Sequence, residues 1–444
     1  MNGKRIQIFL GMAVLLLIES GAAAAEVPRA GEDSPPALAR YDTIAVMPFQ
    51  NATNDQSLDW LSMGIPETIT VDLGAIVGIV LIERIQLWRI MEEQALQLAG
   101  AISDASAMEI GQLVGANLLV VGAFQKQGST MRLTARFVEA ETGSVVHSAK
   151  VTGGLNDIFD LQDDLVGELV KSRNLSAAGT KAVGPAPQIT KSVEAFRHYG
   201  QATLHQARGE YQGAVEEYRK ALDLDPGFSM ARDRFSEAFF ALGADSRWEY
   251  ERVESGAEKA EPGAVIQHRA GGLSNLKGKS CYTYVNKAAG AVQAGDSIGL
   301  VTEYYERGAD GVYLAGELTD PDLGSETLRI FSPSVLMFPY EMEAGMKWSS
   351  EHRVKERRPA GSGSVLHQQA TVLRKENLEI PRIGTLECYV IRYDQRVTGD
   401  GSPATIWFAP GVGIVKLAWQ EAGDKSSGPA GIVEIVLKGF SLTG

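Results

Sequence analysis

Residues 81–124 read LIERIQLWRIMEEQALQLAGAISDASAMEIGQLVGANLLVVGAF, and residues 131–153 read MRLTARFVEAETGSVVHSAKVTG. A short apolar strand runs into an acidic–basic pair, Glu83 and Arg84. The next helix carries Leu87, Trp88, Met91, Ala95 and Leu98 on one face, with Arg89, Glu92 and Glu93 turned largely away from it. Ser103 is a sensible N-cap for a second helix through Val114. Residues 118–121 are a buried strand leading to Gly122. Alternation over 131–138 and 144–151, around Glu141-Thr142-Gly143, predicts an antiparallel hairpin. No pattern in this stretch carries catalytic chemistry.

Working outward, TIAVMPF (43–49) reads as a buried strand before Asn and Asp turn residues. Helical spacing covers 58–76, a second buried strand covers 79–82, and an amphipathic helix over 155–170 closes the unit. A mixed sheet with helices packed against it is expected over 40–173.

The ERxxLxxIxxEQ pattern at 83–94, the helix leading into LVGANLLVVGAF and the FVEAETGSVV hairpin resemble the curli secretion-channel (CsgG-like) family. IAVMPFQN (44–51) and DIFDLQDDLVGEL (157–169) are similar to the wider group of TolB N-terminal-like periplasmic domains. That group includes flagellar outer-membrane accessory proteins and activators of peptidoglycan synthases. The resemblance implies the fold and an envelope setting. Two departures separate the chain from the channels. No cysteine stands near the N-terminus to take a lipid, and no extra alternating segments of about ten residues are present to cross a bilayer. For Glu83–Arg84, a helix-start pair oriented by the local dipole is favoured over a specific interface.

The N-terminus reads as a secretory signal over 1–25: Lys4 and Arg5, an apolar run over 6–18, then small residues to Ala25, after which cleavage is expected. A retained N-terminal anchor is the rival reading. The mature chain, about 420 residues, is expected to hold two to four domains and to work in the periplasm. A net charge of −13 argues against nucleic-acid binding.

Residues 174–191 form a linker, because SAAGTKAVGPAPQIT lacks periodicity and is rich in Ala, Gly and Pro. A helical segment follows over 192–260. Within it, AFRHYGQATLHQARGEYQGAVEEYRKALDLDP (195–226) resembles one tetratricopeptide repeat, with Ala202, Ala214, Tyr218, Ala221 and Pro226 at that repeat's packing positions. Residues 228–242 begin a second unit and 245–259 add a charged terminal helix. A partner-holding groove and a plain helical spacer are equally open readings.

Residues 265–444 are β-rich, with strands expected at 280–285, 298–305, 311–318, 364–373, 388–393 and 432–440, and a hairpin over 406–419 around Pro410-Gly411-Val412-Gly413. SPSVLMFPYEMEAGMKW, IPRIGTLECYVIRYD and TIWFAPGVGIVKLAWQE resemble a widespread exported β-domain without assigned activity, similar in form to the curved half-barrel of lipoprotein carriers. Trp348, Trp407, Phe408 and Trp419 are candidates to line an apolar pocket there, against plain core as the favoured alternative. Cys281 and Cys388 are a candidate disulfide or two separately buried thiols.

The fold class is therefore α+β multidomain: a mixed α/β domain, a tetratricopeptide-like helical hairpin and an antiparallel β-rich domain. No catalytic, cofactor or metal site is expected. The six histidines are scattered, and His198 and His205, seven apart, are a weak candidate for a metal. Asp160, Asp163 and Asp164 read as a solvated helix face. P-loop, GxSxG and dinucleotide fingerprints are missing from the sequence. The leading expectation is a non-enzymatic exported protein that assembles or maintains an envelope or surface structure through protein–protein contacts. Envelope proteins, outer-membrane components among them, and further copies of itself are the expected partners. A curli-type outer-membrane channel component and a periplasmic carrier of an apolar ligand are the alternatives.

Overall fold

The computed structural model describes residues 42–53, 55–76, 78–82, 87, 104–172, 190–243, 246–255, 265–289, 301–319, 327–356, 364–397, 403–420 and 432–442. The signal and its cleavage site, the Glu83–Arg84 pair, most of the helix after it, Ser103 and nearly all of the linker lie outside these residues. Residues 41–444 form one compact unit.

The N-terminal layer is a six-stranded mixed sheet of β1 (Asp42–Val46), β2 (Gln50–Asn51), β3 (Ile79–Leu81), β4 (Leu118–Gln127), β5 (Thr130–Glu139) and β6 (Val145–Gly154). The order is β3-β1-β4-β5-β6, with β2 pairing on β4. Strand β1 runs parallel to β3 and β4, and β4-β5-β6 is an antiparallel meander. The parallel pairing follows from the helical crossovers, since a two-residue turn can join only antiparallel neighbours. Helix α1 (Leu61–Gly74) and α3 (Ile158–Ser172) share one core with Ile44, Leu118 and Phe137; α2 (Asp104–Leu113) lies in a second cluster with Ala45, Leu119 and Val121. Because successive residues of β1 and β4 alternate between these clusters, the sheet is covered on both faces. The hairpin predicted over 131–151 is present and extends further at both ends.

Helices α4 (Val193–Ala207) and α5 (Tyr211–Leu224) pack side by side, and α6 (Ser229–Phe239) follows. Ser192 caps α4 by accepting from the Ala195 amide. Ala202, Ala214, Tyr218 and Ala221 are fully buried, whereas Pro226 is exposed just beyond α5. The charged terminal helix expected at 245–259 is not formed. Residues Arg247–Ser255 are a strand, β7. Their alternation places Trp248 and Tyr250 inside and Arg247 and Glu249 outside, a period of two that fits a strand and not a helix.

Strand β7 opens a closed antiparallel barrel of twelve strands. It continues through β8 (Val265–Leu276), β9 (Lys279–Ala289), β10 (Val301–Arg307), β11 (Gly311–Thr319), β12 (Thr327–Pro339), β13 (Lys347–Glu356), β14 (Ser364–Ile380), β15 (Gly384–Val397), β16 (Ala404–Ala409), β17 (Gly413–Gln420) and β18 (Ile432–Ser441). Every strand pairs with its sequence neighbour, and β18 closes on β7. The curved half-barrel expected from sequence is thus completed to a full ring, which leaves no sheet edge unpaired.

The three parts share side chains. Gly200 lets α4 approach α1 so closely that a Cβ there would stand 2.7 Å from the Trp60 carbonyl oxygen. Phe196 meets Trp60 edge-on at 5.6 Å. The Tyr199 hydroxyl donates to Glu67 Oε2 at 2.6 Å, and Arg234 Nη2 lies 3.6 Å from the same oxygen. On the barrel side, Gln212 donates to the Glu387 carbonyl at 2.8 Å and accepts from the Glu387 amide at 3.1 Å. Arg219 donates to the Tyr340 carbonyl at 3.0 Å.

Candidate functional site

Eight strands make a barrel whose interior side chains just fill it; twelve enclose more space than their own side chains occupy. At the end beside the helices the chain fills that space itself. Phe240, immediately after α6, is fully buried against Trp248, Tyr284, Tyr305, Phe338 and Phe408, with ring centroids 5.6–6.5 Å away. Phe338 and Phe408 stack at 4.1 Å, and Trp248 Nε1 donates to the Val412 carbonyl at 2.8 Å. This end is a solid aromatic plug.

The other half is different. Tyr284, Glu303, Glu317 and Arg329 stand directly opposite one another on β9, β10, β11 and β12, so all four point the same way. Tyr284 is buried among the plug aromatics, which identifies that way as inward. Yet Arg329 and Glu317 keep 49% and 28% of their side-chain surface exposed, and Glu303 is partly exposed. Each of the three lies two residues from the end of its strand, so their exposure is at the mouth of the ring away from the plug. Across the ring, Trp419, Leu417 and Ile435 also point inward and are half-buried.

The floor of this mouth is polar. The Tyr305 hydroxyl donates to Glu303 at 3.1 Å, His268 Nδ1 lies 2.6 Å from the Tyr284 hydroxyl, and Tyr250 and Tyr284 hydroxyls are 3.3 Å apart. Burial and the facing Glu317 carboxylate push Glu303 up from 4.5 to about 7. Burial raises Glu317 too, against a lowering by Arg329, whose Nη1 is 4.0 Å away. Tyr284 and Tyr305 are held neutral by burial first and by these neighbours second.

The barrel's outer face carries exposed Arg247, Glu249, Lys347, Arg353, Arg392 and Arg396, opposite an inner face that holds the aromatic plug together with Glu303, Glu317 and Arg329. That polarity is the reverse of a lipid-embedded barrel, where charge on the outward face costs about 2–4 kcal/mol per Arg or Lys at mid-depth. Over β13–β15 this face also forms an open polar groove of about 880 Å³ holding Glu351, His367 and Asp394. Among the described residues, no helix is long and apolar enough to cross a membrane.

The four aromatics expected in one pocket are not together. Phe408 belongs to the plug. Trp407 faces outward, its indole N–H donating to Glu376 and Lys416 lying 4.7 Å over its ring. Trp348 meets Tyr393 edge-on at 6.1 Å, and its N–H is taken by the Leu336 carbonyl. Trp419 alone of the four faces the mouth. Adjacent strand residues such as Trp407 and Phe408 take opposite faces, so they cannot share one pocket.

The candidate disulfide is likewise not formed. Both thiols are free and buried: Cys281 packs with Leu276 and Ala315, Cys388 in the main core. Burial pushes Cys388 up to about 12. His198 and His205 do not converge, since His198 Nδ1 lies 2.6 Å from Glu217 and His205 pairs with Glu210. Asp160, Asp163 and Asp164 lie exposed on α3. Among the described residues, no three His, Cys, Asp or Glu side chains are placed to hold a metal ion.

Fold and site together define an α/β sheet domain joined through helices to a closed twelve-stranded barrel with charged residues on its outer face. The family model for the curli production assembly/transport component CsgG matches residues 30–126, so the sheet domain is CsgG-like. "Putative adenylate cyclase 3" of Rhizobium meliloti (strain 1021) is 23% identical over 48% of this chain, which spans about a third, 35%, of that protein's length. The LpoB C-terminal domain from Salmonella enterica is 18% identical, covering 26% of this chain and 82% of its own, with a TM-score of 0.23. A "putative exported protein with YmcC-like fold" from Bacteroides fragilis NCTC 9343 is 12% identical, covering 46% of this chain and 98% of its own, with a TM-score of 0.30.

Proposed function

We propose that this protein is an exported, non-enzymatic adaptor of the bacterial envelope, working in the periplasm by protein–protein contact. The observation that carries the reading is the CsgG-like match over residues 30–126, in a domain whose Glu67 accepts from Tyr199 and whose Trp60 is approached closely by Gly200 of the helices beside the barrel. Helices α4 and α5 serve as one tetratricopeptide-like pair, with Ala202, Ala214 and Ala221 at the close approach. A lone pair of this kind needs a neighbour to cover it, and here it lies between sheet and barrel. This favours a structural coupling over a free peptide groove. The cyclase name of the Rhizobium relative is not carried over, because this chain spans about a third of it.

A channel reading is disfavoured by the charged outer face of the barrel. A ligand-carrier reading gains from the solvent-reached mouth and stands as the second reading. Fractionation of cells expressing the full chain, with light scattering on each fraction, tests the first. The expected result is a monomer or small oligomer in the soluble periplasmic fraction. A large ring extracted from the outer membrane, or retention in the cytoplasm, would overturn it.

A further inference from the structure

We propose that the junction between α6 and the plugged end of the barrel binds a carboxylate, held by the Arg307 guanidinium and the Tyr340 hydroxyl. The proposal goes beyond the adaptor reading and does not depend on it.

Three buried side-chain atoms without a hydrogen-bond partner come together at this junction: Tyr340 Oη, Arg307 Nε and Arg219 Nε. Buried polar atoms of native proteins are bonded almost without exception, so a group of unbonded ones marks a missing partner. Arg307 ends β10 directly opposite Val312, which is itself opposite Phe338 of the plug, so it points inward at this end. Its guanidinium lies 4.0 Å over the Tyr282 ring, and among the described residues it forms no ion pair. Arg307 and Tyr282 are half-buried, so the guanidinium can be reached from solvent.

Tyr340 follows Phe338 by two residues and is 7% exposed. Its ring is held edge-on between Phe235 and Phe239 of α6, at 5.2 and 5.0 Å. Its hydroxyl is within electrostatic reach of Arg307. Ser236 stands beside that hydroxyl without bonding to it, and gives its own proton to the Asp233 carbonyl at 2.8 Å. Arg219 fixes the residue from the main-chain side through the Tyr340 carbonyl. The turns at this end, 277–278, 308–310, 340–346, 381–383 and 410–412, all lie within the described residues.

The donors select the ligand. A guanidinium fork matches the two oxygens of a carboxylate, and the hydroxyl supplies one donor more. Helix α6 adds no terminal amides, because Ser236 lies in its second half. The nearby carboxylates are already engaged or face water. Asp310 accepts from the Tyr313 hydroxyl at 2.6 Å, and Glu306 pairs with Lys279 at 3.1 Å. Glu341 is 84% exposed and 3.7 Å from Arg219 Nε. With Asp310 and Glu341 this close, a second negative charge on the ligand would be repelled, so a carboxylate fits better than a phosphate dianion.

Two sources share this chemistry, a free carboxylic acid and the C-terminal carboxylate of a polypeptide. The experiment is isothermal titration calorimetry of the full chain at low salt, with benzoate, N-acetylphenylalanine, N-acetylphenylalaninamide and phenyl phosphate as probes and equal sodium chloride as the control. At least one acid should bind about tenfold or more tighter than the amide, and the phosphate no tighter than benzoate. The tighter acid identifies the source. Arg307→Gln should remove the preference for acid over amide. Tyr340→Phe should weaken acid binding while leaving the thermal midpoint of the free protein unchanged, because the hydroxyl it removes has no partner. Acids that bind no better than the amide, wild-type binding by Arg307→Gln, or no binding at all would overturn the proposal. A lowered midpoint in Tyr340→Phe would do so too, by showing a hydroxyl that serves the fold. The adaptor reading would survive each of these results.

Discussion

Replacing Phe240 by Ala tests whether the plug holds barrel and helices together. The ring is fully buried, and five aromatic rings lie within 6.5 Å of it. Removing a buried Phe side chain costs about 3–5 kcal/mol through lost transfer and the cavity left behind. Several of the contacts are edge-on, which adds to the upper part of that range. Collapse around the void is resisted from the turn side: a Cβ on Gly413, at φ +106°, would stand 2.8 Å from the Phe240 ring, so that backbone is already at contact. A loss of about 4 kcal/mol is therefore expected, against about 1–1.5 kcal/mol for Phe240→Leu, which keeps most of the volume. Guanidinium unfolding followed by tryptophan fluorescence and by far-ultraviolet circular dichroism reads both. In the wild type the helices and barrel should unfold together. In Phe240→Ala the fluorescence transition should move to lower denaturant and separate from the helical signal. A loss below about 1 kcal/mol, or equal losses for Ala and Leu, would refute the view that this ring is a structural plug.

Gly200→Val should cost about 1–3 kcal/mol by forcing α4 off the Trp60 carbonyl, measured as a lowered thermal midpoint. Glu67→Ala removes the acceptor of Tyr199 and a partner of Arg234. It should cost about 2–3 kcal/mol, and a double-mutant cycle with Tyr199→Phe should show non-additive losses. Cys281 and Cys388 should react with a thiol reagent only after denaturation, each as a free thiol; faster reaction in the folded protein would contradict their burial. For pH, Glu303 is raised from 4.5 to about 7 in the folded state. Between those values the folded protein binds the extra proton, so stability is greatest below pH 4.5 as far as this group goes and is lost as pH rises to 7. Discounted for lumen water, the effect is about 1–2 kcal/mol, and Glu303→Gln should flatten it in denaturant titrations at pH 5 and pH 8.

The sheet domain was largely legible because its strands and helices announce themselves locally. The run Leu118–Val121 has no polar residue to mislead, and the 131–151 hairpin alternates cleanly around Glu141-Thr142-Gly143. The barrel was legible in pieces only. Residues 265–276 are interrupted by Gly271-Gly272 and by Ser274-Asn275, which read as turn residues, so β8 passed unnoticed. The segment 245–259 read as a charged helix because Glu249, Glu251 and Arg252 dominate its composition, although Trp248 and Tyr250 keep a strand's period. The acidic ladder was invisible for a different reason. Glu303 and Glu317 come together through the β10–β11 register, and each alone looks like an ordinary strand carboxylate. A signal existed in hindsight: Glu303 and Tyr305 are two apart, and so share a face.

Closure of the ring by β18 on β7 has a consequence for how the chain reaches its native state. Ile432 pairs with Ser255 and Ser441 with Arg247, so the first strand of the barrel waits for the last. Loops of this length are slow to close, since the entropy of bringing their ends together is lost before the ladder forms. Synthesis from the N-terminus makes the sheet domain and α4–α6, with Phe240 just behind them, before any barrel strand exists. Until residue 441 arrives, β7 presents a bare edge with Val253 already at the surface, a template for pairing with other chains. A chain cut before residue 432 would keep that edge for good, and its fate should be association and proteolysis rather than a slightly smaller barrel.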